Sequence, residues 1–350
     1  MQTSAADPQG STKFGRKIRL LALLMVVLAL AVTGAWFTAA HFYRGALDSA
    51  REALTAQGVE VVCENESFGG FPARFEARCA SLRLSFADGS FISGGELQTV
   101  APAWNPLFTI TEWTGPFAGR TLDGTPVEVQ SDLLRSSVRV NTQARLQRLS
   151  VVLDPFAVRL DGASTPILTA EQGELHMRPP VAEDGEAPQG QDDLEIAFVT
   201  LGATSPLLAE VDDVNFSTSG VVEGLASVQA RSLREAFAVW ISQTTGRIDP
   251  VNTRLQVGEH AIHLDGATSV NPEGLLSFDG ALVTTDVATM LNMVGIDQDG
   301  GGAFIIAGIS LIGQTTTLNG APALSIPIQV NEGVVMAGPL EVGLIPPIRF

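Results

Sequence analysis

The sequence has no lysine beyond position 17, a single tyrosine, two cysteines and four histidines in 350 residues, and aromatic side chains make up only 6% of it. Each scarcity excludes something. Of the 21 basic residues, Lys13, Arg16, Lys17 and Arg19 crowd into the first 19 positions, where Asp7 is the only acid, so the rest of the chain is more acidic than the overall net charge of −17. No later Lys/Arg cluster offsets that excess, and such a surface repels nucleic acid, which is not expected as a partner. The histidines offer one close pair, His260 and His263. Positions three apart on a strand face opposite sides, so this pair cannot hold one metal ion without a bulge. No Gly-x-Ser-x-Gly elbow occurs. Gly300-Gly301-Gly302 follows Asp297-Gln298-Asp299 rather than a strand, and reads as a linker instead of a phosphate loop. No metal, cofactor or catalytic residue is expected, and the chain reads as a non-enzyme.

What the sequence has in quantity is apolar residues, 45%, and 35 glycines with 19 prolines that punctuate it at short intervals. Frequent turn residues between short apolar segments predict a mainly β protein with a few helices. Leu20 to Ala40 carries no charge, and at about 1.5 Å per residue it spans roughly the 30 Å hydrocarbon core of a bilayer. Basic residues directly before the run put residues 1–19 in the cytoplasm, with 20–40 as a single-pass anchor in a bacterial inner membrane and the remainder in the periplasm. Trp36, Phe37, Phe42 and Tyr43 form an aromatic belt at the far interface. A cleaved signal peptide ending at Ala40 is the competing reading, and it exports the same residues. In an oxidising compartment Cys63 and Cys79, 16 positions apart, are expected to form a disulfide.

Past the anchor, Tyr43, Ala46, Leu47, Ala50 and Leu54 recur at helical spacing, giving a stalk helix over 41–58 that Gly58 ends. The period then changes to two. Phe71, Ala73, Phe75, Ala77 and Cys79 point one way, Arg74, Glu76 and Arg78 the other. Leu82, Leu84 and Phe86 have the opposite parity, which predicts a bulge near Ala80 and Ser81, and Asp88-Gly89 makes a turn. Leu160-Asp161-Gly162-Ala163 and Leu264-Asp265-Gly266-Ala267 both read as strands entering a turn, a pattern that chance or a duplicated half-domain produces. Residues 179–193, rich in Pro, Gly, Gln and acids, read as a linker between a β-rich lobe over 59–178 and a second over 194–350. The second lobe has two amphipathic helices. One starts at the Ser232/Glu235 capping box and carries Leu233, Phe237, Trp240, Ile241 and Thr244; the other is capped by Asp286 and carries Val287 and Met290. Leu324, Ile326, Ile328 and Val330 alternate before an Asn331-Glu332-Gly333 turn.

Gly70-Phe71-Pro72-Ala73-Arg74-Phe75, set between the two cysteines just beyond an anchor and stalk, resembles the corresponding element of the Gram-negative bacterial family catalogued as domain of unknown function 2125. The closing stretch from Leu324 to Pro347 is similar as well. Ala73 stands where that family often has an aromatic residue. More distantly, the layout is similar to AsmA-like envelope proteins, and that resemblance implies an elongated, curved antiparallel sheet with an apolar groove. The family supplies no catalytic residues. Two functions stand side by side: a periplasmic protein handling lipid or another apolar molecule, with Phe71, Phe75, Leu84 and Phe86 on the apolar face, or a protein-interaction scaffold for envelope assembly.

Overall fold

A computed structural model describes residues 11–121, 124–181, 192–206, 213–228, 230, 232–288 and 301–348. Helix α1 is one unbroken rod, Ser11–Ala56, so the expected stalk simply continues the apolar segment. Its N-terminal part is long and apolar enough to cross a membrane, and 6% of the most apolar window is buried.

Nearly all that follows is antiparallel strand, in two open sheets. The smaller has seven strands in the spatial order Glu60–Glu64, Ser81–Ser85, Phe91–Gly94, Phe117–Arg120, Pro126–Gln130, Phe156–Leu160 and Leu168–Ala170. The larger has 16 and begins Ser67–Gly69, Arg74–Cys79, Leu97–Pro102, Phe108–Thr114, Leu133–Val140, Leu146–Leu153, Gln172–Arg178. It continues Leu194–Ala203, Val214–Val222, Ile248–Val257, His260–Val270, Leu276–Thr284 and Ala321–Asn331, whose outer side is shared by Gln314–Leu318 and Val334–Ala337, with Leu340–Leu344 last.

The two sheets are one meander folded along a line. Every strand of the smaller sheet connects to a strand of the larger through one or two residues, among them Ala80, Gly95-Glu96, Gly115-Pro116, Ser131-Asp132 and Asp154-Pro155. Turn-forming residues at these points let the backbone bend without losing its neighbours on either side. The parity change at Ala80 is therefore not a bulge within one strand: Arg74–Cys79 belongs to the larger sheet and Ser81–Ser85 to the smaller. Each half keeps its own alternation, and the crease shifts the phase.

Cross-strand partners share a face. In the larger sheet Val151, Leu175, Phe198, Thr218, Thr253, Leu264, Leu282 and Ile326 form one row. Leu97, Trp113, Leu134 and Leu153 begin the next row on that face. The other face carries Arg78, Gln98, Glu112, Arg135, Val152 and Glu174. The smaller sheet sorts the same way, with Val61, Leu84, Ile92, Gly119, Val127 and Leu160 on one side and Val62, Arg83, Ser93, Ala118, Glu128 and Arg159 on the other.

Among the described residues three helices cover parts of the larger sheet's apolar face. Trp36 and Ala40 of α1 pack with Phe75. Helix α2, Leu233–Thr244, starts where Ser232 Oγ accepts the Glu235 N–H at 3.1 Å, as the capping box predicts, and sets Trp240 and Ile241 on Val222, Val270, Ile196 and Ile248. Helix α3, Gly301–Ile312, packs Ile309 against Ile326, Leu282 and Ile328. Gly301 and Gly302, expected in a linker, are the first two residues of this helix. It went unpredicted because Gly-Gly-Ala-Phe-Ile-Ile-Ala-Gly-Ile-Ser-Leu-Ile has no capping residue and no polar stripe. Asp286 Oδ1 accepts the Ala288 N–H at 2.9 Å, as a cap does. The rest of that expected helix lies outside the described residues.

Two further expectations change. The strands flanking 179–193, Gln172–Arg178 and Leu194–Ala203, pair directly, so the sheet runs on across the segment expected to separate two lobes. Residues 182–191 lie outside the described ones. Asp161 and Gly162 do form a turn, but Asp265 and Gly266 lie inside the strand His260–Val270, opposite Ala281 and Gly280. The shared tetrapeptide therefore adopts two conformations and marks no duplication.

Candidate functional site

The Gly70 to Phe75 element is where the sheet is fastened to α1. Gly70 has φ 103°, a conformation open to glycine, and a Cβ there would lie 2.5 Å from the Arg74 carbonyl oxygen. Gly70 O accepts the Arg74 N–H at 3.0 Å, closing a turn through Phe71 and Pro72. The alternation predicted from Phe71 accordingly begins only at Arg74. The Arg74 carbonyl accepts the Trp36 indole N–H at 3.2 Å, and the Arg74 guanidinium lies 2.8 Å from the Glu76 carboxylate. Glu76, 8% exposed, is also paired with Arg78. The Phe75 ring is 6.0 Å from Trp36 and stacked 4.9 Å from Tyr43.

At the crease the two apolar faces meet. The Trp113 and Phe117 rings, one from each sheet, stand edge to face at 5.1 Å, and Gly94 is closed in beneath them. A Cβ on Gly94 would lie 2.6 Å from the Trp113 indole nitrogen. Phe156 of the smaller sheet covers Gly173 of the larger. The Cys63–Cys79 disulfide ties the sheets together at one end of the same line. Converging rings place the apolar faces on the inner side of the fold. A cavity of about 650 Å3 runs beside the connectors, but its rim includes Asp132 and Glu171 and is not part of the apolar face.

Away from the crease the inner side is open. Between α1 at one edge and α2 and α3 further along, Val138, Leu149, Val151, Leu175 and Met177 are only half-buried, and Phe198, 6.2 Å from Phe216, remains 39% exposed. Leu84, Ile92, Val127 and Leu160 on the smaller sheet are likewise half-buried. What results is a trough with a packed apex and an apolar, solvent-facing interior.

The polar face is organised separately. His176 lies 2.7 Å from Glu174 and 3.0 Å from Ser150. Burial, reinforced by the Arg254 charge, holds the His263 imidazole below its usual range, and the Ser90 hydroxyl and backbone hold the Asp88 carboxyl below its own. His260, at the start of its strand with the parity of the inner-face Leu264, lies 3.6 Å from Asp286. No group of three or more His, Cys, Asp or Glu side chains among the described residues is arranged to hold a metal ion.

Against known proteins, a family model described as an uncharacterized protein conserved in bacteria (DUF2125) matches residues 36–346. The chain belongs to this family. No curated protein and no solved structure matches it. For this DUF2125 member the matched span takes in both Trp36 and the Gly70 to Phe75 element, the two halves of the helix-to-sheet junction.

The four residues expected on one apolar face are not brought together. Phe75 is on the inner face but only 2% exposed, because α1 covers it. Leu84 lines the smaller sheet's inner face across the crease. Phe71 is in the turn before the strand, 51% exposed, and Phe86 follows the end of Ser81–Ser85. Of the interior residues that sequence reasoning missed, Leu175 alternates with the polar Glu174 and His176, whereas Val151 has Val152 beside it and Phe198 lies between Ala197 and Val199. An alternating signal therefore marks only the strand of Leu175, and nothing in the sequence marks the adjacency of the three.

Proposed function

We propose that this DUF2125 member is a non-catalytic envelope protein of the bacterial inner membrane, with residues 20–40 crossing the bilayer and 41–350 in the periplasm, whose trough accommodates the apolar chain of a lipid. The observation that carries this reading is the continuous inner face from Leu149 to Phe198 that no helix among the described residues covers. Each methylene placed there gains about 0.8 kcal/mol, while a charged headgroup stays in water outside the acidic exterior. Affinity then depends on chain length before headgroup. Titration of the full chain in nanodiscs with fatty acids of increasing length tests it: binding should tighten with length until the trough is filled. No binding at any length by a well-folded protein rejects it. For the topology, a phosphatase fused after Gly58 should be active, and an active cytoplasmic reporter at that point refutes the orientation.

An interaction scaffold for envelope assembly is supported by a different observation. Leu340–Leu344 ends the larger sheet with no outer partner among the described residues, and Leu344 is 71% exposed. Such an edge accepts an added strand. The titration separates the two readings, since a scaffold leaves fatty acids unbound.

A further inference from the structure

Four large apolar side chains stand exposed together at one end of the larger sheet: Phe37 (61%), Phe71 (51%), Trp104 (79%) and Leu107 (37%). Phe71 lies 5.3 Å from the Trp36 ring and 6.2 Å from Phe37. The Ala103 N–H donates to the Ala73 carbonyl at 2.9 Å, and Ala103 packs into the Trp36, Ala40 and Phe75 cluster, so the loop carrying Trp104 lies beside the turn carrying Phe71. Phe37 is three residues short of Ala40, the end of the uncharged run, or about 4.5 Å along the helix. If α1 crosses a bilayer over that run, both loops stand where hydrocarbon gives way to headgroups.

We propose that the loops Gly70 to Ala73 and Ala103 to Leu107 rest in the interfacial layer of the bilayer that α1 crosses, a second membrane contact that seats the larger sheet on the lipid surface. This rests on the reading of α1 as a membrane-spanning helix. A lipid surface is the occupant because the patch is continuous with the anchor through Trp36 and Phe37, and because tryptophan favours that layer. Charge agrees. Arg139 and Arg148, exposed cross-strand partners at the same end, share a row with Phe108 that has no carboxylate, and the Arg139 guanidinium lies 5.2 Å over the Phe108 ring. Lipid phosphates supply the missing anions. The uncovered part of the trough then ends at the bilayer, and an acyl chain enters it without crossing water.

Native tryptophan fluorescence of the full chain in phosphatidylcholine/phosphatidylglycerol vesicles tests this, with bromine on the acyl chains of the lipid as quencher. The emission lost between the wild type and Trp104→Phe belongs to Trp104, an exposed side chain whose replacement spares the fold. The other three, Trp36, Trp113 and Trp240, are all buried. Brominated lipid should quench the Trp104 emission and aqueous iodide should leave it unchanged. Quenching by iodide with no effect of bromine places the loop in water and overturns the proposal. Protection from both quenchers places it against protein and overturns it equally. In those two outcomes protein that stays with the vesicles through alkaline carbonate extraction leaves the anchor standing, whereas protein released by carbonate removes the anchor and this contact together.

Discussion

Replacing Phe198 with serine should weaken acyl-chain binding about 30-fold. Phe198 is 39% exposed, on the inner face two residues along its strand from Ile196, where the cover of α2 begins. A phenylalanine side chain has about 200 Å2 of surface. The exposed share is then about 80 Å2, and at about 25 cal/mol per Å2 a ligand covering it gains about 2 kcal/mol, close to 30-fold in affinity. The buried share supports the fold, so Phe198→Ser also loses up to about 3 kcal/mol of stability by the same area rule. Binding must therefore be compared at a temperature where circular dichroism shows both proteins folded. Leu201 is the control. It lies on the same strand with the same 39% exposure, but pairs with Gln172 on the polar face. Fatty-acid titration of both variants in nanodiscs reads the difference. Unchanged affinity in Phe198→Ser, or an equal loss in Leu201→Ser, refutes the assignment of the inner face as the binding surface.

Three further outcomes follow from the junctions and the titrating groups. Cys63→Ala, which opens a loop of 16 residues, should lower unfolding stability by about 3 kcal/mol in the chain-entropy model; equal denaturation midpoints for mutant and wild type would contradict it. Gly94→Ala puts a methyl group 2.6 Å from the Trp113 nitrogen and 2.9 Å from the Phe117 ring, and the overpacked crease should cost about 1 to 3 kcal/mol in thermal or urea unfolding. His263 has its folded-state pKa depressed below 6.5, so the unfolded chain takes up the proton first. The stability this provides is complete above pH 6.5 and is lost as pH falls through the folded-state value. Melting temperature should therefore fall more steeply on acidification in the wild type than in His263→Gln, and parallel pH profiles would remove His263 as the cause.

Features governed by a few neighbouring residues were legible in the sequence. The uncharged run in α1, the Ser232/Glu235 cap, the Asn331-Glu332-Gly333 turn and the alternation of Leu324, Ile326, Ile328 and Val330 all appear where expected. Each rests on a period or a cap that a short segment satisfies alone. The misreadings have a common cause. Local pattern makes Ala80 a bulge, 179–193 a boundary and Asp265-Gly266 a turn, because it does not say which distant strand lies beside it.

The sequence by itself therefore determined that this protein has one long apolar helix, an acidic and lysine-free remainder, a cysteine pair and many strands each with an apolar side. Only the tertiary structure decided that those sides join into one face, that the face is creased along Ala80, Gly115-Pro116 and Asp154-Pro155, and that the helices among the described residues leave its middle open. The physical reason is that alternation is set within a strand by backbone geometry, whereas adjacency is set by hydrogen bonds between strands distant along the chain. Val151, Leu175 and Phe198 become neighbours only when that pairing forms.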